Sequence, residues 1–335
     1  MEKAFQPTKF VIIGDLCMDV FMQIEQYPPE GGDGSVRQIH QHAGGSASNT
    51  AIALARFGNQ PYLLTHCGKD NWAAQLLPLL ESSGVSVDFI QQEEHNATGL
   101  TFLVVSDKAE RTMFTYRGAN LCLHPDEISD QIFDQSTGLH ISSYACLKAP
   151  QSEAVAKAVQ LATTRNLLIS LDVGVEPAIK AGDRLRELFP FLSLVILGEG
   201  EAMAVTQKPT VADSVADMLA RGVKLIALKM GERGCRLISR DGVLSLPGFQ
   251  VDPVDSTGAG DAFCAGLLHG LSQGWELDLS ANLANALGAM ATTRWGAGEQ
   301  LPTRNEICAF LRLKNAGYYN PTLDQLIEKL GCPVS

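Results

Sequence analysis

The chain is short of positive charge and has no long apolar segment. Its 335 residues include 26 lysines and arginines against 37 aspartates and glutamates, for a formal net charge of −11. Proteins that bind nucleic acid or anionic membranes carry basic surfaces instead. No stretch of 18 apolar residues occurs, which excludes a transmembrane helix, and the N-terminal segment has no apolar signal-peptide core. We therefore expect a cytoplasmic protein that binds neither nucleic acid nor membrane.

The eight cysteines lie singly along the chain, with no Cys-x-x-Cys pair. Several fall in apolar runs, where cysteine behaves as a small hydrophobic residue. The pattern predicts reduced thiols, and neither a disulfide framework nor a zinc site. His40 and His42 share one strand face, but the sequence offers no third metal ligand beside them, so we interpret them as polar surface residues.

Three common functional motifs are also absent from the sequence. It has no G-x-x-x-x-G-K-[ST] phosphate-binding loop and no G-x-G-x-x-G after the first strand, which argues against P-loop and dinucleotide-binding sites. It has no G-x-S-x-G segment, so a hydrolase nucleophile of that type has no support.

What is present predicts an α/β fold. Apolar residues make up 45% of the chain, enough for a sizeable core. A buried strand at 9–14 opens the chain, and helices at 46–56 and 71–82 and a strand at 87–91 are expected after it. After residue 120 short apolar runs alternate with helical segments, which predicts a doubly wound, mostly parallel sheet. Two strand-rich inserts interrupt this pattern and predict a small β lid. We assign 15–43 and 97–120 to the lid, and 1–14, 44–96 and 121–335 to the α/β core.

The strongest chemical signal is the segment Val254–Phe263, VDSTGAGDAF. Small residues precede an apolar helix, so the backbone N–H groups of its first turn are unobstructed and can hold an anion. Asp261 begins that helix, where a carboxylate beside a bound phosphate can accept a proton from an attacking hydroxyl. The alternative interpretation is a glycine turn in which Asp261 only stabilises the start of the helix.

A second signal is Ala43–Ala51, AGGSASNTA. Paired glycines let a ligand approach the backbone, and the Asn49 amide offers a donor and an acceptor together, which suits a sugar diol. The alternative is an ordinary loop and helix start with Asn49 facing solvent.

Together, GGSASNTAIALARFG (44–58) and DSTGAGDAF (255–263) resemble the two signatures of the ribokinase-like (PfkB) carbohydrate kinase family in order and spacing. The resemblance implies an ATP-dependent phosphotransferase that uses Mg²⁺ and acts on a sugar or sugar derivative. It further implies a homodimer joined through the lid. Its implied site residues are Asp261 as catalytic base; Gly258, Ala259 and Gly260 as anion hole; Asp19, Gly45 and Asn49 at the sugar; Lys229, Gly231, Gly234 and Asn285 at the nucleotide; Glu201 at Mg²⁺ through water; and Asp255 and Thr257 at a monovalent cation such as K⁺.

The chain departs from the family pattern at two places. Where many relatives have an Asn-x-x-Glu motif that organises Mg²⁺, this chain keeps Glu201 but has Gly198 at the Asn position. The stretch 142–146 has no acid of the kind that ribose-phosphorylating relatives carry, which argues against ribose as the substrate.

Two alternatives to a sugar kinase remain open from the sequence. The same scaffold in relatives accepts ribosides, so a nucleoside kinase is one of them. The other is a catalytically idle sugar-binding or regulatory protein, which Gly198 favours and the intact Asp261 disfavours. In the kinase interpretation the lid closes over the acceptor and excludes water. Its candidate polar contacts are Arg111, Thr112, Tyr116 and Arg117.

Overall fold

The computed structural model describes residues 7–107, 111–317 and 319–332 of the chain. Its strands are β1 (Lys9–Ile13), β2 (Cys17–Ile24), β3 (Val36–Gly44), β4 (Gln60–Gly68), β5 (Ile90–Glu93), β6 (Gly99–Ser106), β7 (Arg111–Tyr116), β8 (Gly138–Ser142), β9 (Leu168–Asp172), β10 (Leu194–Gly198), β11 (Leu225–Lys229), β12 (Cys235–Ser239) and β13 (Gly242–Leu246). Its α-helices are α1 (Ser46–Arg56), α2 (Asn71–Ser82), α3 (Gln151–Thr164), α4 (Val175–Lys180), α5 (Gly182–Leu188), α6 (Glu199–Thr206), α7 (Val211–Ala220), α8 (Ala259–Ser272), α9 (Leu277–Ala291), α10 (Arg304–Gly317) and α11 (Pro321–Lys329).

A nine-stranded sheet in the order β13-β12-β11-β10-β9-β8-β1-β4-β5 forms the centre of the fold. All neighbours from β11 to β5 pair in parallel, and β12 pairs antiparallel with both β11 and β13. Its strands are short apolar runs because both faces are covered by helices. One face packs against α1, α8 and α9, and the other against α3 to α7, which gives two buried apolar layers. The expected doubly wound, mostly parallel sheet is confirmed.

Strands β3, β2, β6 and β7 form a second, smaller sheet in that order. It is built from the two inserts that the sequence marks as strand-rich, and β2 pairs with β6 in parallel although some 75 positions of chain separate them. Every strand of this sheet therefore starts or ends at the edge of the central sheet. The tip 108–110 and the side chain of Arg111 lie outside the described residues.

The sequence expectation about cysteines is wrong at one pair. Cys308 in α10 and Cys332 after α11 form a disulfide, which ties the C-terminal helix to its neighbour. The signal was invisible in the sequence because the two residues are 24 positions apart and come together only when the two helices pack. The six other cysteines are free thiols, as expected. No helix in the described part of the chain is long and apolar enough to cross a membrane.

Candidate active site

The carboxyl ends of β1, β9, β10 and β11 meet the start of α8 at one edge of the central sheet. This edge is where open α/β sheets bind ligands, because their loops leave a crevice there. Asp172 ends β9, Gly198 ends β10 and Lys229 ends β11. The second sheet adjoins the same edge through the segments that follow β1 and precede α1. A ligand bound here would therefore contact both sheets.

The turn before α8 has the geometry of an anion cradle. Gly258 lies just before the helix in the left-handed region, at φ +74°, and a Cβ placed there would come 2.6 Å from the Cβ of Ala297. Glycine is therefore required on both conformational and steric grounds. The first N–H groups of the 14-residue helix α8 have no partners within the helix itself and coincide with the positive end of its dipole. This arrangement suits a phosphate at the predicted anion hole Gly258, Ala259 and Gly260.

Asp261 is held in a defined orientation by α1. Its Oδ2 accepts a hydrogen bond from Nδ2 of Asn49 at 2.8 Å, and Oδ1 of Asn49 in turn accepts one from the backbone N–H of Gly298 at 3.1 Å. Asn49 is buried, so the alternative in which it faces solvent is wrong. Removal from water and the negative charge of Asp172 raise the pKa of Asp261 to about 7, although the Asn49 hydrogen bond and Lys229 act the other way. A carboxyl group with this pKa can both take up and release a proton near neutrality.

Asp19, on β2, lies beside Asp261 and is 5% exposed. Burial raises its pKa to about 7, and the negative charge of Asp261 adds to the effect, while a hydrogen bond from Thr101 opposes it. A Cβ on Gly44, in the neighbouring strand, would come 2.0 Å from the Asp19 carboxyl carbon, so glycine at 44 makes the room for this side chain. The structure thus brings Asp19, Asn49 and Asp261 together although more than 200 residues separate the outer two.

Gly45 has a conformational role that the sequence did not reveal. It lies at φ +93° before α1, and a Cβ there would come 2.3 Å from the backbone oxygen of Asp15. Any side chain at this position would disturb the junction between β1 and α1. The geometry therefore gives Gly45 a structural reason to be glycine, and its predicted sugar contact remains a prediction.

Asp15, Arg117 and Glu176 form a cluster of charged side chains, of which the sequence predicted only Arg117 as a site residue. Asp15 accepts a hydrogen bond from Nη1 of Arg117, whose Nη2 donates to Oε2 of Glu176 at 2.7 Å. The Arg117 guanidinium also lies over the Tyr144 ring, with 4.7 Å from its carbon to the ring centroid. Burial raises the pKa of Asp15, while the Arg117 charge opposes the shift. Arg117 thus reaches the edge where the sheet strands end, and its contact with the acceptor stays a prediction.

Two other proposed lid contacts point away from this edge. Strand pairing puts Asp19, Thr101 and Thr115 on one face of the second sheet. Thr112 and Tyr116 alternate onto the opposite face, so their assignment as polar contacts of the site is wrong. The error arises because the sequence does not show which face of β7 turns towards the central sheet.

The four predicted nucleotide-binding residues differ in how closely the surrounding chain packs against them. The Lys229 ammonium lies 2.8 Å from Oδ1 of Asp172 and 3.4 Å from where a Cβ on Gly260 would be. Gly231 has no atom near its missing side chain, whereas a Cβ on Gly234 would come 2.1 Å from the backbone oxygen of Leu246. Asn285, on α9, donates to the backbone oxygen of Pro247 at 3.1 Å. Gly231 therefore borders open space, Lys229 lies between Asp172 and Gly260, and Gly234 and Asn285 also shape the surrounding loops.

Glu201 lies at the same edge, on the first turn of α6. A Cβ on Gly198 would come 2.3 Å from Oε2 of Glu201, so the carboxylate lies over the glycine that replaces the family's Asn. Mg²⁺ in kinases is bound by one or two carboxylates together with substrate phosphates rather than by a protein cage. Glu201 fits that requirement. Within the described residues, no three His, Cys, Asp or Glu side chains converge on a common metal position.

Asp255 joins the turn before α8 to the loop that follows α9. Its Oδ1 accepts hydrogen bonds from the N–H of Thr257 at 3.0 Å and from the Thr257 hydroxyl at 2.8 Å. Its Oδ2 accepts one from the N–H of Gly296 at 3.0 Å. These contacts give Asp255 a demonstrable structural role, and its predicted cation role stays a prediction.

The comparisons with known proteins show the family and the fold of the chain. The model of the pfkB family carbohydrate kinase matches residues 7–304. The chain is 29% identical over 284 residues to a relative named probable fructokinase-4 of Arabidopsis thaliana, covering 80% of this chain and 87% of that one. It is 26% identical to 5-dehydro-2-deoxygluconokinase 2 of Bacillus cereus, covering 92% and 96%. The solved ribokinase of Thermotoga maritima has the same fold, with a TM-score of 0.81, 24% identity and coverage of 92% and 100%.

Proposed function

Because the chain belongs to the pfkB family of carbohydrate kinases, we propose that it transfers the γ-phosphate of ATP to a primary hydroxyl of a sugar, with Asp261 as the general base. The observation that carries this proposal is the placement of Asp261 in the first turn of α8, directly after the anion cradle and oriented by Asn49. Base and phosphate site share one turn of chain, as an in-line transfer requires.

The chain's residues divide the work of the reaction. The first turn of α8 binds the transferred phosphate, and Lys229 adds a positive charge beside it. Asp19 accepts hydrogen bonds from the sugar hydroxyls and so orients the reacting one towards Asp261. Mg²⁺, which Glu201 would hold through water, neutralises charge on the phosphates when it is bound. Closure of the second sheet excludes water, which would otherwise compete as the acceptor.

The acceptor class is the part that the fold leaves most open. Names of the relatives favour a ketose or a sugar acid derivative. A specific observation favours an acceptor with a ring substituent, as in a nucleoside. A half-open groove of about 550 Å³ lies beside His42, the cross-strand neighbour of Asp19, where a substituent on a sugar bound at Asp19 would extend. Its lining includes Phe21, His40, His42, Trp295 and Gln300.

An ADP-release assay with ketoses, aldoses, sugar acids and nucleosides separates these acceptors. Turnover of a free hexose or sugar acid at least tenfold faster than that of any riboside supports the first proposal. The reverse order supports the nucleoside kinase. No turnover of any acceptor would favour the idle sugar-binding protein, which the oriented Asp261 argues against.

Several further properties belong to the same proposal. We propose a cytoplasmic enzyme, since ATP is the phosphoryl donor and six cysteines are free thiols. We also propose that two chains pair through their second sheets. Support comes from an apolar face on that sheet, on which Ile39 is 57% and Phe114 is 59% exposed. This face is the one opposite Asp19.

Replacement of Asp261 by Asn tests the base directly. Asn is nearly isosteric, but its amide cannot accept a proton at neutral pH. We expect kcat to fall by about 10²–10⁴-fold, the usual loss when a general base is removed. Affinity for ATP and for the sugar should change by less than about threefold, because the lost interaction belongs to the transition state. The wild-type rate should rise with pH through about 7, since Asp261 must be ionised and its pKa is about 7.

Asp278 offers a matched control, since it is also an acid in the first turn of a helix, α9, away from the cradle. Asp278→Asn should keep normal turnover. If Asp261→Asn retains more than about a tenth of the wild-type kcat, Asp261 serves only to stabilise its helix and the base assignment is wrong.

A further inference from the structure

We propose that Asp172 is a positioning residue for phosphoryl transfer, which holds the Lys229 ammonium against the cradle Gly258–Gly260 and supplies a fixed negative charge beside Asp261. Neither the sequence motifs nor the similarity to known kinases assigns a role to this residue. The inference rests on the proposed role of Asp261 as the base.

The contact between Lys229 and Asp172 spans three strands of the central sheet. Lys229 ends β11 and Asp172 ends β9, with β10 between them. The residue of β10 level with Lys229 is Gly198. The Lys229 side chain crosses β10, and its Nζ lies 2.8 Å from Oδ1 of Asp172. The space over Gly198 itself is filled by the Glu201 carboxylate.

The same ammonium borders the anion cradle. It lies 3.4 Å from the position that a Cβ on Gly260 would take, so any larger residue at 260 would compete with it for space. Asp172 is 8% exposed, and burial strengthens its attraction to the lysine. Although burial alone lowers the pKa of Lys229, the Asp172 carboxylate raises it above its usual range, so the ammonium stays charged. A fixed cation is thus in place before any phosphate arrives, which is what preorganised charge stabilisation requires.

Asp172 also acts on the base. After removal from water, its charge is the largest influence that raises the pKa of Asp261, while Lys229 acts in the opposite direction. The negative charge of Asp172 therefore raises the pKa of Asp261, and the positive charge of Lys229 lowers it. The other titratable or hydrogen-bonding groups that face Asp261 or Asp172 are Ser46 and Asn49 on α1, Asp19 on β2, His140 on β8, Tyr144 after β8 and Cys264 on α8.

His140 does not interfere with this arrangement. It is buried next to Asp172, and burial lowers its pKa to about 4, so it is neutral wherever the enzyme would work. Burial likewise raises the pKa of the Cys264 thiol well above its usual range, so this group adds no charge either. Glu201 on α6 is a further charged group that faces Lys229, and its negative charge also raises the pKa of the lysine. Asp172 and Lys229 are the two charged groups that act most strongly on Asp261, so they are the pair to vary.

We expect two substitutions to move the acid limb of the pH–rate profile in opposite directions. Asp172→Asn keeps the shape and one acceptor oxygen but removes the charge, so the acid limb of kcat/KM should move to lower pH by at least about half a unit. Lys229→Met removes the opposing cation, so the limb should move to higher pH. We also expect kcat to fall by about tenfold or more in both, because the cradle loses a preorganised charge. A merely structural role would not move the limb in two directions.

Three further measurements complete the test. Lys229→Arg keeps the charge and should leave the acid limb in place. Asp134→Asn removes a surface acid that pairs with Arg165 and should change neither rate nor profile. By calorimetry, Lys229→Met should bind a non-hydrolysable ATP analogue at least about tenfold more weakly, a readout that needs no base. If Asp172→Asn does not fold, the Met and Arg variants at 229 still decide the question.

The outcomes distinguish this inference from the proposal on which it rests. A wild-type profile without an acid limb near pH 7, together with an active Asp261→Asn, would overturn the base assignment. A limb that is present but stays in place in Asp172→Asn, or in Lys229→Met where Asp172→Asn does not fold, would overturn the role of Asp172.

Discussion

At the scale of single residues, the site contains two buried carboxyl groups that are more stable in the folded protein when they are protonated than when they are ionised. Asp19 and Asp261 both have a pKa of about 7, raised first by burial, and each is affected by the charge of a neighbouring aspartate. A carboxyl group with a raised pKa in the folded state binds a proton that the unfolded chain has already released. The free energy of unfolding therefore decreases as the pH rises from about 4 to about 7.

This cost predicts that Asp19→Asn stabilises the protein at the expense of its activity. Asn cannot ionise, so the variant avoids the penalty, which is on the order of 4 kcal/mol for a shift of this size in a buried group. The free energy of unfolding should exceed that of the wild type at pH 8, and the difference should be smaller at pH 5. The sugar KM should rise at least about tenfold, because charge-assisted hydrogen bonds are lost, with little change in KM for ATP.

Urea unfolding curves at the two pH values check the first part, and steady-state kinetics check the second. An equal stability difference at pH 5 and pH 8 would contradict the ionisation argument. An unchanged sugar KM would remove Asp19 from the acceptor site.

The residues that sequence reasoning found and missed differ in one respect. Asp261 and Asn49 stand in short local patterns, which carry their chemistry within a few positions. Asp172 and its partner Lys229 are 57 residues apart, and they meet only because β9 and β11 flank β10. The order of strands in a sheet is not written locally in the sequence, so this pair could not be predicted.

At the scale of elements, the turn before α8 and the loop after α9 behave as one unit because Asp255 connects them. A monovalent cation bound by Asp255 and Thr257, as we propose, would tighten this connection and with it the anion cradle. We expect activity to rise several-fold when K⁺ replaces tetramethylammonium at equal ionic strength. ADP release in the two salts measures the effect. An equal rate in both would mean that the hydrogen bonds from Thr257 and Gly296 suffice.

The sequence predicts long helices with a regular apolar pattern well, but it predicts short strands and helices poorly. The helices at 46–56 and 71–82 have the expected bounds, since an Ala-rich run and an Asp70 cap define them locally. The expected strand at 87–91 instead forms at Ile90–Glu93, on the edge of the sheet. The short helix α4 was not anticipated, because its six residues are too few to show a helical period.

At the scale of the whole molecule, the second sheet presents its apolar face and two edge strands to solvent, which predicts self-association. We expect light scattering at micromolar concentration to report about twice the chain mass of 36.0 kDa. Phe114→Glu places a charge in the proposed interface and should give a monomer. Val243→Glu, at an equally exposed apolar position on β13, is the matched control and should leave the dimer intact. A monomeric wild type would refute the pairing.

The two inserts that build the second sheet occupy only the first 120 residues, whereas Asp172, Lys229 and α8 all come later in the chain. The proposed acceptor and phosphate sites thus come from separate stretches of the chain, and Asn49 is one of the side chains that connect them. Substitutions in the first 120 residues can therefore change which acceptor is bound, while Asp172, Lys229 and α8 stay the same. A chimera with the first 120 residues of a relative should therefore acquire the relative's acceptor preference and keep its own response to ATP.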